Sequence, residues 1–104
     1  MPSSLFFIRL IANRPNFAMS MTAEELAVMR AHIEFLQDQL AAGTLVVAGP
    51  VLDPAGIFGM AVFEAESMEE VRRILERDPA RALGRHEITP MGPNSVRRAR
   101  PAGA

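Results

Sequence analysis

Twice along this chain a hydroxyl residue stands three positions ahead of a glutamate at the head of an amphipathic run, at Thr22-Ala23-Glu24-Glu25 and at Ser67-Met68-Glu69-Glu70. In such a capping box the hydroxyl accepts from the backbone N–H of the third residue while the glutamate reaches back, so each pair marks where a helix begins. After Thr22 the apolar residues Leu26, Met29, Ile33, Leu36 and Leu40 recur every three or four positions, and Gly43 supplies a left-handed stop. That spacing predicts a helix over Ala23 to Ala42 with this stripe turned to the core. After Ser67 the same period runs through Met68, Val71, Ile74 and Leu75 until Asp78-Pro79, where the proline disfavours a helical residue ahead of it.

The segments around the two helices read as strands. Leu5 to Ile11 is aromatic and β-branched and ends in Asn13-Arg14-Pro15-Asn16, a turn-forming cluster. Leu45 to Leu52 is a second strand in which Gly49-Pro50 is expected to make a bend or bulge, since proline lacks the ladder N–H. Asp53-Pro54-Ala55-Gly56 signals a turn, Ile57 to Ala65 returns as the partner of a hairpin, and Glu87 to Met91 is a weak last strand. The order β-α-β-β-α-β predicts an α+β, ferredoxin-like domain, an antiparallel sheet with two helices on one face. With 104 residues, 49% of them hydrophobic, the chain can build one core and no second domain. Residues 1–92 form that domain, and 93–104, rich in arginine, proline, glycine and alanine, read as a flexible tail.

A sheet with one wet face should alternate apolar and polar residues, yet Leu5 to Leu10, Leu45 to Leu52 and Ile57 to Phe63 are apolar on both sides, Arg9 excepted. The chain has no further helix to cover the second face. A second copy packed sheet against sheet, closing a dimeric α+β barrel, is the economical solution, and a homodimer is expected.

Several function classes drop out on composition. The formal net charge is −1, every basic residue is arginine, and no face reads as strongly basic before the short tail Arg97, Arg98 and Arg100, so nucleic acid is not an expected partner. The absence of cysteine removes disulfides, thiolate metal sites and a cysteine nucleophile, and favours a reducing, cytoplasmic setting. Leu5 to Ala12 carries Arg9 and is far shorter than the roughly 20 residues of a membrane span. A phosphate-binding glycine loop, a dinucleotide fingerprint, HExxH and a serine elbow are all missing from the sequence, and a metal would have to rely on His32, His86 and carboxylates. No cofactor and no metal are expected.

Two residues stand out for chemistry. His32 projects from the edge of the first helix's apolar stripe, where one ring nitrogen can meet a partner while the other faces the sheet, as a proton shuttle requires. A lone helical histidine is more often a surface or satisfied structural residue. Asp78 falls seven positions after Val71 and so continues the inward side of the second helix. There it either accepts backbone N–H groups of the Asp-Pro turn or orients a histidine and stabilises its charged form. Arg9, the one charge in its strand, points into a cleft or pairs at a dimer interface. Gly49 reads as a close-approach or bulge glycine beside the pocket, and His86, at the head of the last strand, reads as structural or exposed.

The segment Arg-Ala-His-Ile-Glu-Phe-Leu around His32, Leu-Val-Val-Ala-Gly-Pro at 45–50, the turn Leu-Asp-Pro-Ala-Gly and Arg-Asp-Pro-Ala at 77–80 together resemble the YCII-related family over most of the chain, Leu5 to Met91. The resemblance implies a ferredoxin-like fold, assembly into a dimeric α+β barrel, and an active site whose histidine and aspartate fall on His32 and Asp78. It also implies proton-moving chemistry on small ring compounds, of lyase or isomerase type. The aromatic that often follows the family's Asp-Pro is replaced here by Ala80 and then Arg81, so the pocket should be roomier, with Arg81 either anchoring an anionic substrate or pairing with Glu76 or Glu87. The alternative to an enzyme is a non-catalytic module of the same dimeric fold that binds a small molecule or a neighbouring protein.

Overall fold

A computed structural model of the chain describes residues 3–98. Strand β1 is Ser4–Ala12, helix α1 Ala23–Ala42, β2 Leu45–Val51, β3 Phe58–Ala65, α2 Met68–Leu75 and β4 Gly84–Pro90, with short 3-10 turns at Phe17–Met19 and Pro79–Ala82. The four strands form one sheet in the order β2-β3-β1-β4, every neighbouring pair antiparallel, which is the ferredoxin-like topology. Both helices lie on one face of the sheet.

The helices start where the sequence places them. Thr22 Oγ1 accepts from the Glu25 amide at 3.1 Å while Glu25 returns to the Thr22 amide at 2.9 Å, whereas at Ser67 only half of the expected capping box forms, Ser67 Oγ accepting from the Glu70 amide at 3.2 Å. Gly43 ends α1 with φ at 84°, a left-handed conformation that glycine adopts without a Cβ penalty. Pro50 lies in β2, an edge strand, where its missing N–H costs no interior ladder bond. The irregularity in β2 falls at Leu45/Val47 rather than at Gly49-Pro50, which pair in register with Met60 and Gly59.

Register sorts the strand residues into two faces. Phe6, Ile8 and Leu10 oppose Phe63, Ala61 and Gly59 on the helix side, whereas Phe7 and Arg9 oppose Val62 and Met60 on the other. The core is made by Phe6, Ile8, Leu45, Ala61, Phe63 and Ala65 with Val71, Ile74 and Leu75 of α2, so the second helix seals its half of the sheet. Helix α1 does not do the same. Leu26, Ile33 and Leu40 of the predicted inward stripe are 41%, 50% and 54% exposed, while Gln39 is buried and Phe35 and Leu36 touch the core. At about 100° per residue, the inward side of α1 is thus rolled by roughly a quarter-turn from that stripe, toward His32, Phe35 and Gln39. A helix rolled in this way does not close onto β2 and β3, and an apolar cleft remains between them.

Tail residues 93–98 form no helix or strand, but Arg97 reaches Glu64 of β3 at 2.6 Å. Arg100 lies outside the described residues. No helix among the described residues is long and apolar enough to cross a membrane.

Candidate active site

Three elements converge on one buried carboxylate. The helix α2 ends at Leu75, and Asp78, extended as a residue before proline must be, caps the 3-10 turn that follows. Its Oδ1 accepts from the Ala80 amide at 2.9 Å and meets His32 Nδ1 of α1 at 2.7 Å. Its Oδ2 meets His86 Nε2 of β4 at 3.0 Å. The same oxygen thus meets both the backbone amide of the Asp-Pro turn and the histidine ring.

The side chain of Asp78 is 1% exposed and those of His32 and His86 are 12% and 10% exposed. Burial alone would raise the Asp78 carboxyl's pKa, but the hydrogen bonds from His32, His86 and the Ala80 amide outweigh it and hold the group well below the usual carboxylate range. Asp78 is therefore an ionised acceptor, and both ring nitrogens that face it must carry protons. His32 donates through Nδ1, which leaves Nε2 as the nitrogen able to take a proton from a bound molecule.

The pair lines the cleft between α1 and the sheet, a space of about 630 Å³. Its walls are apolar: Ile8 and Leu10 from β1, Phe17 and Met21 from the loop ahead of α1, Met29 and Leu36 from the helix, and Ala48 and Pro50 from β2. Among the described residues lining it, the only polar side chains are His32, Gln37, Asp78 and His86. No arginine contributes. A volume of this size suits a small ring compound, and such walls favour an uncharged one.

Arg14 holds the mouth of the cleft. Its guanidinium grips Glu25 at 2.6 and 2.8 Å, donates to the Ser20 carbonyl at 2.7 Å and stacks 5.0 Å from the Phe17 ring centroid. The loop that carries Phe17, Ala18 and Met21 into the cleft is thereby tied to the first turn of α1. The hydrogen bond from Arg14, with the Thr22 amide, lowers the Glu25 carboxyl to about 2.

The other candidates from the sequence do not join the cluster. Arg9 lies on the sheet face away from both helices, 4.3 Å from the Phe58 ring centroid and 3.8 Å from Glu87, with its Nε buried and unpartnered. Arg81 is exposed and donates to the Glu76 carbonyl at 3.2 Å, on the far side of the 3-10 turn from the cleft. Gly49 does line the cleft, but a Cβ there would meet nothing within 4 Å, so no close approach demands glycine. The residue missed is His86. Strand β4 begins at Gly84, not Glu87, so His86 is an interior strand position opposite Leu10 on the helix side. The two-residue interval from His86 to Ile88, which packs against the core, was the available signal. Among the described residues no group of three His, Asp or Glu side chains is arranged to hold a metal ion.

Comparison with known proteins bears on this arrangement. No curated protein sequence matches the chain. Among solved structures it is similar to 5-chloro-2-hydroxyhydroquinone dehydrochlorinase (TftG) from Burkholderia phenoliruptrix AC1100, in complex with 2,5-dihydroxybenzoquinone, with 23% identity and a TM-score of 0.58 over 81% of this chain and 90% of that one. It is similar more loosely to a mutant of SnoaB, a cofactor-independent oxygenase from Streptomyces nogalater, with 17% identity and a TM-score of 0.49 over 92% of this chain and 97% of that one. These likenesses concern the fold. The model of the YCII-related domain matches residues 5–93, nearly the whole described chain, and the protein belongs to the YCII-related family.

Proposed function

We propose that the protein is a small cytoplasmic enzyme that works without a cofactor, moving a proton on a small cyclic or aromatic metabolite in a reaction of lyase or isomerase type. The observation that carries this reading is the 2.7 Å contact between His32 and Asp78 at the wall of an apolar cleft. His32 acts as general base through Nε2, taking a proton from a hydroxyl or activated C–H of the ring; the imidazolium formed is compensated by Asp78. The same proton then returns to another ring position, in an isomerase, or accompanies a leaving group, in a lyase. Since no arginine among the described residues lines the cleft, the substrate enters uncharged, and charge arises only beside the imidazolium.

The name of the structural relative suggests the first probes: hydroxylated and chlorinated hydroquinones, assayed in D₂O for ring-proton exchange and for chloride release. The full chain should exchange or turn over at least one of them, and His32→Ala should lose about 10²–10⁴-fold in rate with the fold intact. A variant that keeps the wild-type rate on a genuine substrate removes His32 from the mechanism.

The enzyme is also proposed to work as a homodimer. On the sheet face away from the helices, Leu5, Phe7 and Ile11 of β1 lie beside Phe58, Met60 and Val62 of β3, half-buried apolar residues around Arg9 that a second copy would cover further. Sedimentation of the full chain at micromolar concentration should give a dimer, and a stable monomer refutes this assembly.

A further inference from the structure

A single carboxylate held by two histidines asks what the second one does. His32 and Asp78 satisfy the requirements of a general base and its orienting group, so nothing in the proposed reaction needs His86. Yet His86 is at least as buried as His32, and its ring nitrogen lies 3.0 Å from the oxygen that His32 does not use.

We propose that His86 is a positioning residue: by donating its Nε2–H to Oδ2 it locks the Asp78 carboxylate in the orientation that presents Oδ1 to His32. The inference rests on the acid–base reading above.

The geometry supports it in three ways. A carboxylate rotates about its Cβ–Cγ bond unless both oxygens are engaged. Here Oδ1 is held by the Ala80 amide and His32, and among the described residues only His86 engages Oδ2. The donor comes from β4, a strand interior paired through His86 to Leu10 of β1, so it is placed by the sheet and not by the mobile end of a loop. The third point is proton accounting. An ionised Asp78 only accepts, so a ring on Oδ2 must present N–H there, which fixes His86 with the proton on Nε2 and leaves Nδ1 bare when the ring is neutral. His32 is fixed the opposite way, with the proton on Nδ1. Two histidines on one carboxylate thus carry opposite tautomers. His86, with Leu75, also borders an outer groove lined by Arg72, Glu76, Arg81 and Arg85, so it stands between that groove and the cleft.

The test is spectroscopic before it is kinetic. Long-range ¹H–¹⁵N correlation spectra of the ¹⁵N-labelled full chain, at about pH 8.5 where ordinary imidazoles are neutral, read which nitrogen of each ring carries the proton. The wild type should show His32 protonated at Nδ1 and His86 at Nε2. His86→Leu should fold, yet blur His32 into an exchanging mixture of tautomers. His86→Gln, whose amide nitrogen can take the place of Nε2, should restore the fixed pattern. On a probe that the wild type turns over, His86→Leu should lose about 10²-fold in kcat with KM little changed, as displaced catalytic groups do, and His86→Gln should recover most of the loss.

A wild-type His86 with Nε2 bare overturns the proposal, and so does an unaltered His32 pattern in His86→Leu. If His86→Leu fails to fold, the wild-type tautomers and His86→Gln decide alone. Opposite tautomers together with an His32→Ala variant of undiminished rate would retire the acid–base reading while leaving the role of His86 on the carboxylate in place.

Discussion

Replacing Asp78 by asparagine removes the charge and turns one acceptor oxygen into an amide donor, which His86 can meet only by moving its proton from Nε2 to Nδ1, so the variant directly probes the buried cluster. The wild-type carboxylate accepts three hydrogen bonds, from His32 at 2.7 Å, the Ala80 amide at 2.9 Å and His86 at 3.0 Å. A hydrogen bond to a charged group contributes about 1 kcal/mol more than a neutral one, so the three together lose about 3 kcal/mol. Sparing the desolvation of a side chain only 1% exposed returns part of this, and a net loss of about 2 kcal/mol follows. For a domain of this size that is a fall in Tm of about 8–16 °C, measured by circular dichroism at one fixed protein concentration because assembly adds to stability.

The pH dependence gives the argument a sign. A carboxyl held below its ordinary range stabilises the fold fully above the unfolded value, near 3.9, and that contribution fades as pH falls toward the folded value. The gap between wild type and Asp78→Asn should therefore be complete at neutral pH and narrower by about 1.3 kcal/mol at pH 3. An Asp78→Asn protein as stable as the wild type at pH 7, or a gap that fails to narrow as pH falls from about 4 to 3, refutes the reasoning.

Other consequences follow from the packing. Gly84→Ala should cost about 1–3 kcal/mol in urea unfolding and disturb His86 two residues away, because a Cβ there would strike the Ile11 carbonyl oxygen and approach Ala12 Cα to 3.1 Å. Ile33→Gln should change stability by less than about 1 kcal/mol, since that position is 50% exposed; a loss above about 2 kcal/mol would mean that α1 is not rolled as described. Arg14→Ala should release the Glu25 carboxyl from about 2 back toward its ordinary value near 4.3, read by carbon-detected NMR titration, and should loosen the loop that bears Phe17.

The sequence was most legible where local chemistry decides. Thr22 with Glu25, Gly43 and Pro79 each impose a backbone conformation on their own neighbours, and α1 spans the predicted Ala23–Ala42. It was least legible where the outcome depends on what lies opposite. The stripe Leu26, Ile33, Leu40 is the better amphipathic face of an isolated helix, but the hydrogen bond from His32 to a carboxylate 46 residues away, and Gln39 buried at the far end, fix the roll instead. Periodicity counts apolar residues and so cannot see a polar contact that outweighs them. The same blindness hid His86: the last strand is expected from Glu87, and only pairing with β1, which brings Gly84 beside Ala12, carries it back through His86. Arg9 shows the converse, since a charge in an apolar run looks like a site until the register assigns it a face.

The roll of α1 explains how so small a domain keeps an open cleft without losing its helix. At its first turn the helix is clamped by the capping box and by the Arg14 grip on Glu25. At its last, Thr44 Oγ1 donates to the Gln39 side chain at 2.6 Å, just before the start of β2. In the middle, His32 ties it to the turn after α2. Between these ties, Met29, Ile33 and Leu40 border the cleft instead of filling the sheet. A helix held mainly by its polar ties can forgo part of the apolar burial that would otherwise fasten it, and the surface it leaves uncovered is the surface a ligand would use. Filling the cleft with larger side chains should therefore raise stability and lower any turnover together, the trade expected where stability is given up for a site. Ala48→Leu, which adds bulk at a partly buried wall position without touching the His32–Asp78–His86 cluster, is the variant to measure: a higher Tm with undiminished turnover of a hydroquinone would show that the cleft is not where the ring binds.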